Sequence, residues 1–320
     1  MAHFVTESPR GMNHPGRELS RDLWPVASRA EFLLQTSGLL KPLVERKLLV
    51  AERARSRNRL LVTDASRGPR LLVSVRSSEE ALAAIEGGAN ILDVKEPTRG
   101  SLGMADMKVV AAIAQQIDET RAHHIPLSVA LGEVIDWCDR DDVPALPESV
   151  AFAKLGLSHL ARCGGWRDEW RRVREYFDQR HPSQLEWVAV AYADAGEAAS
   201  PPIRDILEAA IATNCAGLLI DTFAKNSLTL TDYCDAAALC ELAERCHSAG
   251  LFLALAGRLS RESLPELSRV PADVLAIRSA ACEDADRTAR VSARAVAAFR
   301  NAMQTAVAST TTAFSLTPVP

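Results

Sequence analysis

The reading of the fold turns on LLVSVRSSEEALAAIEGGANILDVKEP, residues 71–97. It opens on an apolar run, LLVSV (71–75), passes into SSEEALAAIEGG (77–88), and returns to ANILDV (89–94). The middle segment has a helix start, Ser77 with Glu80 three residues on, and a helix stop at Gly87-Gly88. The flanking runs are apolar throughout rather than alternating, as expected of parallel strands covered on both faces. Strand, helix and strand in this order make a βαβ unit.

The same alternation continues along the chain. Further strands are expected at LSVAL (127–131), FAKLGL (152–157), WVAVAY (187–192), GLLIDT (217–222), LFLALA (251–256) and DVLAIR (273–278). Between them and after them lie helical patterns at 104–117, 165–180, 201–214, 231–250, 260–269 and 289–303. Eight strands separated by helices predict an α/β protein with a (β/α)8 TIM barrel. A doubly wound open sheet is the alternative, but no GxGxxG turn follows the first strand, which weakens a dinucleotide site.

The barrel is expected over residues 69–304. Residues 1–68 form a basic N-terminal extension with helices predicted over 27–61, from Phe32, Leu33, Leu34, Leu39, Leu40, Leu43, Leu48, Leu49 and Val50. Residues 1–70 hold 13 Lys+Arg against 7 Asp+Glu, while the whole chain carries a net charge of −4. The extension is expected to pack on the barrel or to mediate a homo-oligomer contact. Its arginines are not interleaved with aromatic residues, which disfavours a nucleic-acid arm. Residues 305–320, ending AFSLTPVP, are expected to be a flexible C-terminal tail.

Composition narrows the class further. The 320 residues are 48% hydrophobic and 24% charged, enough for a sizeable core. No long uncharged apolar segment suggests a membrane span, and the first residues lack the apolar run of a secretory signal. The seven cysteines form no CxxC pair or zinc spacing, so reduced thiols in a cytoplasmic protein are expected, with no metal. The 37 basic residues include only six lysines: 41, 47, 95, 108, 154 and 225.

Barrel enzymes place their chemistry at the C-terminal ends of the strands. Lys95 follows strand 2, Lys154 lies in strand 4, and Lys225 follows strand 6, so three ammonium groups are expected at one mouth. Asp93, two residues before Lys95, is expected to pair with it, and Asp221 ends strand 6. Lysine at such a place admits three readings. A neutral amine can form a Schiff base, which arginine cannot do. An ammonium can hold phosphate. Or each lysine simply pairs with a carboxylate. The ends of strands 7 and 8, Ala256-Gly257 and Arg278-Ser279, are the expected phosphate-binding loops.

These segments resemble the (5-formylfuran-3-yl)methyl phosphate synthase family, also called 4-(hydroxymethyl)-2-furancarboxaldehyde-phosphate synthase. The likeness is carried by DVKEPTRGSLG (93–103), AKLGL (153–157), AYAD (191–194), LLIDTFAKNSLTL (218–230), LALAGRL (253–259) and DVLAIRSAAC (273–282). Ser279 stands where the resemblance leads one to expect glycine. The resemblance implies a lyase that condenses two glyceraldehyde 3-phosphate molecules into a furan aldehyde phosphate, with loss of phosphate and water. It implies no metal or organic cofactor, and a place in methanofuran-type cofactor synthesis serving one-carbon metabolism. It makes Lys95 the Schiff-base lysine and Lys154 the proton acceptor, with Asp93, Asp221 and Lys225 in support. The expected partner is a small phosphorylated triose, with no nucleic acid and no membrane. A class I Schiff-base aldolase or isomerase on another sugar phosphate, and a non-catalytic phosphometabolite-binding barrel, are the alternatives.

Overall fold

A computed structural model describes residues 68–315, apart from 121, 141, 184 and 225. The helices expected at 27–61 and the rest of the basic extension before Gly68 lie outside the described residues, as do Lys225 and residues 316–320.

The apolar runs form eight strands: β1 (Arg70–Val75), β2 (Ile91–Val94), β3 (Leu127–Glu133), β4 (Val150–Gly156), β5 (Glu186–Tyr192), β6 (Gly217–Asp221), β7 (Phe252–Leu255) and β8 (Val274–Ile277). Each pairs in parallel with its neighbour in sequence, and β1 pairs with β8 in the register Arg70↔Val274 to Val73↔Ile277, closing the barrel. The open-sheet alternative is thereby excluded.

Strand periodicity divides the core into two parts. Leu71, Val73, Val75, Leu92, Val94, Ala153, Leu155, Leu218 and Ile220 point outward to the helices. Leu72, Ile91, Phe152, Val188, Leu219, Phe252 and Val274 fill the lumen. Continuing the inward set by two residues at a time leads from Ile91 to Asp93 and Lys95, from Phe152 to Lys154, and from Leu219 to Asp221. The apolar floor and the polar mouth are thus one register of side chains.

The helices are α1 (Ser78–Glu86), α2 (Met107–Glu119), α3 (Trp166–Arg180), α4 (Ile203–Ala212), α5 (Leu230–Tyr233), α6 (Ala236–Ser248), α7 (Leu264–Leu267) and α8 (Ala293–Ser315). In α2, Val110, Ile113, Ala114 and Ile117 make the buried stripe at helical spacing. The Ser77 side chain caps α1 by accepting from the Glu80 N–H, but Glu80 does not complete a capping box. Its buried carboxylate instead accepts from the Arg76 N–H at 3.0 Å and pairs with Arg278.

Three expectations on helices are corrected. The pattern at 231–250 is two helices, because Asp235 breaks it and caps α6 by accepting from the Ala238 N–H at 2.8 Å. The pattern at 260–269 yields only the single turn α7. The tail expected from residue 305 is helical as far as Ser315. Alanines favour helix there, and hydroxyls bond back one turn, Thr305 to the Asn301 carbonyl and Ser309 to the Thr305 carbonyl. Among the described residues no helix is long and apolar enough to cross a membrane.

Candidate active site

The C-terminal mouth of the barrel is a cleft. Asp93, Lys95, Lys154, Asp221, Ala256, Gly257, Arg278 and Ser279 all line it. The sequence-predicted residues that are described therefore come together at one place.

Their pairing differs from expectation. Asp93 binds Lys154, not Lys95: Lys154 Nζ donates to Asp93 Oδ1 at 2.5 Å. Lys154 is 3% exposed and Asp93 2%, so neither charge could stand alone there. The strands explain the choice. Asp93 is level with Ser128 of β3, and Lys154 is level with Ala130 on the other side of β3. The small residues of β3 leave room for the lysine to reach across. Ser74 Oγ also donates to Asp93, at 3.2 Å. Burial pushes the Asp93 carboxyl up, but the Lys154 and Lys95 cations outweigh it and hold the group below the usual carboxylate range.

Lys95 is half-buried, and its Nζ donates to the Ser101 carbonyl at 3.3 Å. Desolvation is the main force on it and lowers its pKa from the usual lysine value. Asp221 and Asp93 oppose that shift, while Lys154 and Arg287 add to it. Asp221 is held by the Thr222 N–H at 2.8 Å. Ser101 Oγ donates to the Thr222 carbonyl at 2.7 Å and lies 3.3 Å from Asp221 Oδ2. Ser101 thereby ties the loop beside Lys95 to the end of β6. Glu96, which an extended strand turns away from the mouth, caps the Pro97–Arg99 turn by accepting from the Thr98 N–H at 3.0 Å.

The loops after β7 and β8 separate into roles. The Ala256 N–H is engaged with the Ile220 carbonyl at 2.7 Å, so it offers no donor to a ligand. Gly257 has φ +94°, and a Cβ there would approach Thr222 Cγ2 at 2.9 Å, so glycine is required on both counts. Ser279 begins a 3-10 turn and has no positive φ, so the turn needs no glycine at that position. Among the described residues no partner is found for the N–H groups of Gly257, Arg258, Ser279 and Ala280.

Arg278, expected in a phosphate-binding loop, is fully engaged within the protein. All five of its N–H donors are engaged, with both oxygens of Glu80 and the carbonyls of Ser74, Arg287 and Ala289. With Arg278 matched by Glu80, the cations lining the cleft among the described residues are Lys95, Lys154, Arg258 and Arg287, facing the carboxylates of Asp93 and Asp221. That excess of positive charge suits an anionic ligand.

Several structural participants escaped sequence reading. Glu80 had the look of a helix cap, Ser101 of a loop residue, and Arg287 lies in DADRTAR (284–290), which has no periodicity. At the β3–β5 side, Glu133 accepts from Tyr192 Oη at 2.5 Å and from the Ser158 N–H at 2.8 Å. Asp194 accepts from the N–H groups of Phe223 and Ala224, at 2.8 and 2.7 Å, and so shapes the loop after β6. Tyr192 ends β5 and Asp194 lies two residues beyond it, both in AYAD, which the sequence reading used only as part of the family likeness.

Fold and mouth together define a (β/α)8-barrel enzyme with a lysine–aspartate centre. The particular family follows from comparison. The 4-HFC-P synthase family model matches residues 71–300, and the chain belongs to that family. The (5-formylfuran-3-yl)methyl phosphate synthase of Methanopyrus kandleri is 35% identical over 236 residues, spanning 68% of this chain and 92% of the relative. That of Methanothermobacter thermautotrophicus is 34% identical over 237 residues, spanning 71% and 95%. Among solved structures, wild-type GGGPS from Thermoplasma volcanium aligns with a TM-score of 0.54 at 8% identity, over 79% of this chain and 97% of that one, a likeness of fold alone.

Proposed function

We propose that this synthase condenses two glyceraldehyde 3-phosphate molecules, one first isomerised to the ketose, through a Schiff base at Lys95. The product is (5-formylfuran-3-yl)methyl phosphate, with loss of phosphate and water, in methanofuran-type cofactor synthesis. The observation that carries this reading is the half-buried Lys95 amine, with no ion pair among the described residues, sharing one cleft with the buried Lys154–Asp93 pair.

The chemistry runs from those groups. The Lys95 amine adds to the ketose carbonyl, and loss of water leaves an iminium that acidifies the adjacent C–H. The Lys154 amine, in its neutral form, accepts that proton, and the Asp93 carboxylate beside it is the charge partner of the ammonium so formed. The resulting enamine attacks the aldehyde of the second triose. Dehydration, departure of one phosphate, ring closure and hydrolysis of the imine complete the sequence, with Asp221 and Lys225 in support. Such acid–base groups contribute about 10²–10⁴-fold each. The free N–H groups of Gly257, Arg258, Ser279 and Ala280 cradle a phosphate, and Arg278 fixes the loop that presents two of them.

Borohydride reduction in the presence of glyceraldehyde 3-phosphate tests the reading. A mass adduct on the peptide carrying Lys95, together with a furan-aldehyde absorbance during turnover, is expected. An adduct at another lysine removes Lys95 from its role. An adduct at Lys95 without the absorbance leaves a class I aldolase on another sugar phosphate.

A further inference from the structure

The phosphate cradle at β7 and β8 serves one phosphate, whereas two phosphorylated trioses must share the mouth. The proposed reaction, on which this inference rests, therefore needs a second anion-binding group. Arg287 is the described cation best placed to be that group. It lines the cleft with Lys95 and Asp221. Its Nη2 donates to the carbonyls of Pro97 and Gly100, at 2.8 and 3.2 Å, which join the β8 loop to the loop beside Lys95. Those are its hydrogen bonds among the described residues, so Nε and Nη1 keep their donors, and it forms no ion pair there. Arg287 is also half-buried, and desolvation lowers its pKa from the usual arginine value, against the opposing pull of the Asp221 carboxylate.

Its backbone is fixed from below. The Arg287 carbonyl accepts from Arg278 Nε at 2.9 Å, and Arg278 is clamped by Glu80 on α1. The clamp positions the segment, and the side chain above it remains free to exchange neutral carbonyls for a dianion, which forms stronger hydrogen bonds with guanidinium.

We propose that Arg287 binds the phosphate of the triose that reacts at Lys95, making it the residue that selects phosphorylated over unphosphorylated substrate at that subsite. Glu80 and Arg278 are positioning residues for it.

The test compares borohydride trapping by the full chain, its Arg287→Ala variant and its Arg287→Lys variant. Dihydroxyacetone phosphate and dihydroxyacetone serve as the two probes. In Arg287→Ala the concentration for half-maximal trapping of the phosphorylated ketose should rise about tenfold or more, the effect of losing a charge-assisted hydrogen bond. That for dihydroxyacetone should stay within about twofold, and Arg287→Lys should recover part of the loss because it restores a point charge without the planar fork. Equal weakening for both probes, or no weakening for either, overturns the assignment of Arg287. Failure of every variant and the parent protein to trap any ketose overturns the Schiff-base reading instead. Matching thermal melts of the three proteins establish that the comparison concerns the site.

Discussion

Lys154 Nζ lies 2.5 Å from Asp93 Oδ1, with both side chains buried, while Lys95, two residues from Asp93, takes the Ser101 carbonyl as its one direct partner among the described residues. One lysine of the mouth is thereby neutralised and the other is left desolvated without an ion pair. This asymmetry gives two amines different work. The paired one is held against a carboxylate, and the other has its pKa lowered, chiefly by desolvation.

The first prediction follows from that asymmetry. Lys95→Arg should abolish borohydride-trappable adduct while sparing the thermal melt, because guanidinium keeps the charge but cannot form an imine. In the parent protein the amine must be neutral to attack, so trapping falls as pH drops through the Lys95 pKa. Desolvation lowers that pKa, so the acid limb of the trapping rate should lie below the ordinary lysine value of about 10.4. A limb at or above that value contradicts the desolvated-amine account.

The buried pair makes a stability prediction. Lys154→Met leaves the Asp93 carboxylate uncompensated among apolar lumen residues and should cost about 3–5 kcal/mol in urea unfolding. The double variant Asp93→Leu, Lys154→Met removes both charges and should recover most of that loss, though not activity. A double variant less stable than Lys154→Met alone would show that the pair contributes packing rather than charge balance.

How much of this was readable in advance depends on the range of the interaction. The eight strands, and the convergence of Asp93, Lys95, Lys154 and Asp221, follow from local apolar runs and the two-residue period. Pairing was not readable, because Asp93 meets Lys154 across the width of β3 and sequence proximity pointed to Lys95. The partner of Arg278 was not readable for the same reason. Its partner Glu80 lies on the first barrel helix, nearly the whole barrel away in sequence, and only closure of β8 onto β1 brings them together. The break at Asp235 could have been seen, since Asp is a favoured helix cap and follows Thr229 and Asp232, which box the preceding turn.

Asp93 also sets a pH dependence of stability. Its folded pKa is lowered, net of the burial that raises it, by the Lys154 and Lys95 cations. The folded state therefore favours the ionised form. The stabilisation is fully present above the unfolded carboxyl value of about 3.9 and is lost as pH falls through the lower folded value. Unfolding free energy measured from pH 6 to pH 2 should thus decline below about pH 4, and Asp93→Asn should flatten part of that decline. An unchanged slope in the variant would assign the acid sensitivity to other carboxylates.

The side of the mouth away from Lys95 depends on one glycine. A Cβ at Gly156 would strike the Glu133 carboxylate, which at that place accepts from both Tyr192 Oη and the Ser158 N–H. Burial, and then the Glu133 charge, push the Tyr192 phenol well above its usual pKa, so Tyr192 stays a donor to Glu133. Gly156→Ala should displace the carboxylate and leave a buried phenol and a backbone N–H without their partner, at a cost of about 1–3 kcal/mol for each group. Because β4 also carries Lys154 two residues earlier, the same substitution should lower kcat with little change in KM. Tyr192→Phe separates the two effects. It removes the phenol but leaves the backbone of β4 undisturbed, so it should reduce stability by about 1 kcal/mol and leave kcat closer to the parent than Gly156→Ala does. Equal kcat losses in the two variants would mean that the Tyr192 hydroxyl, rather than the course of β4, is what the reaction requires.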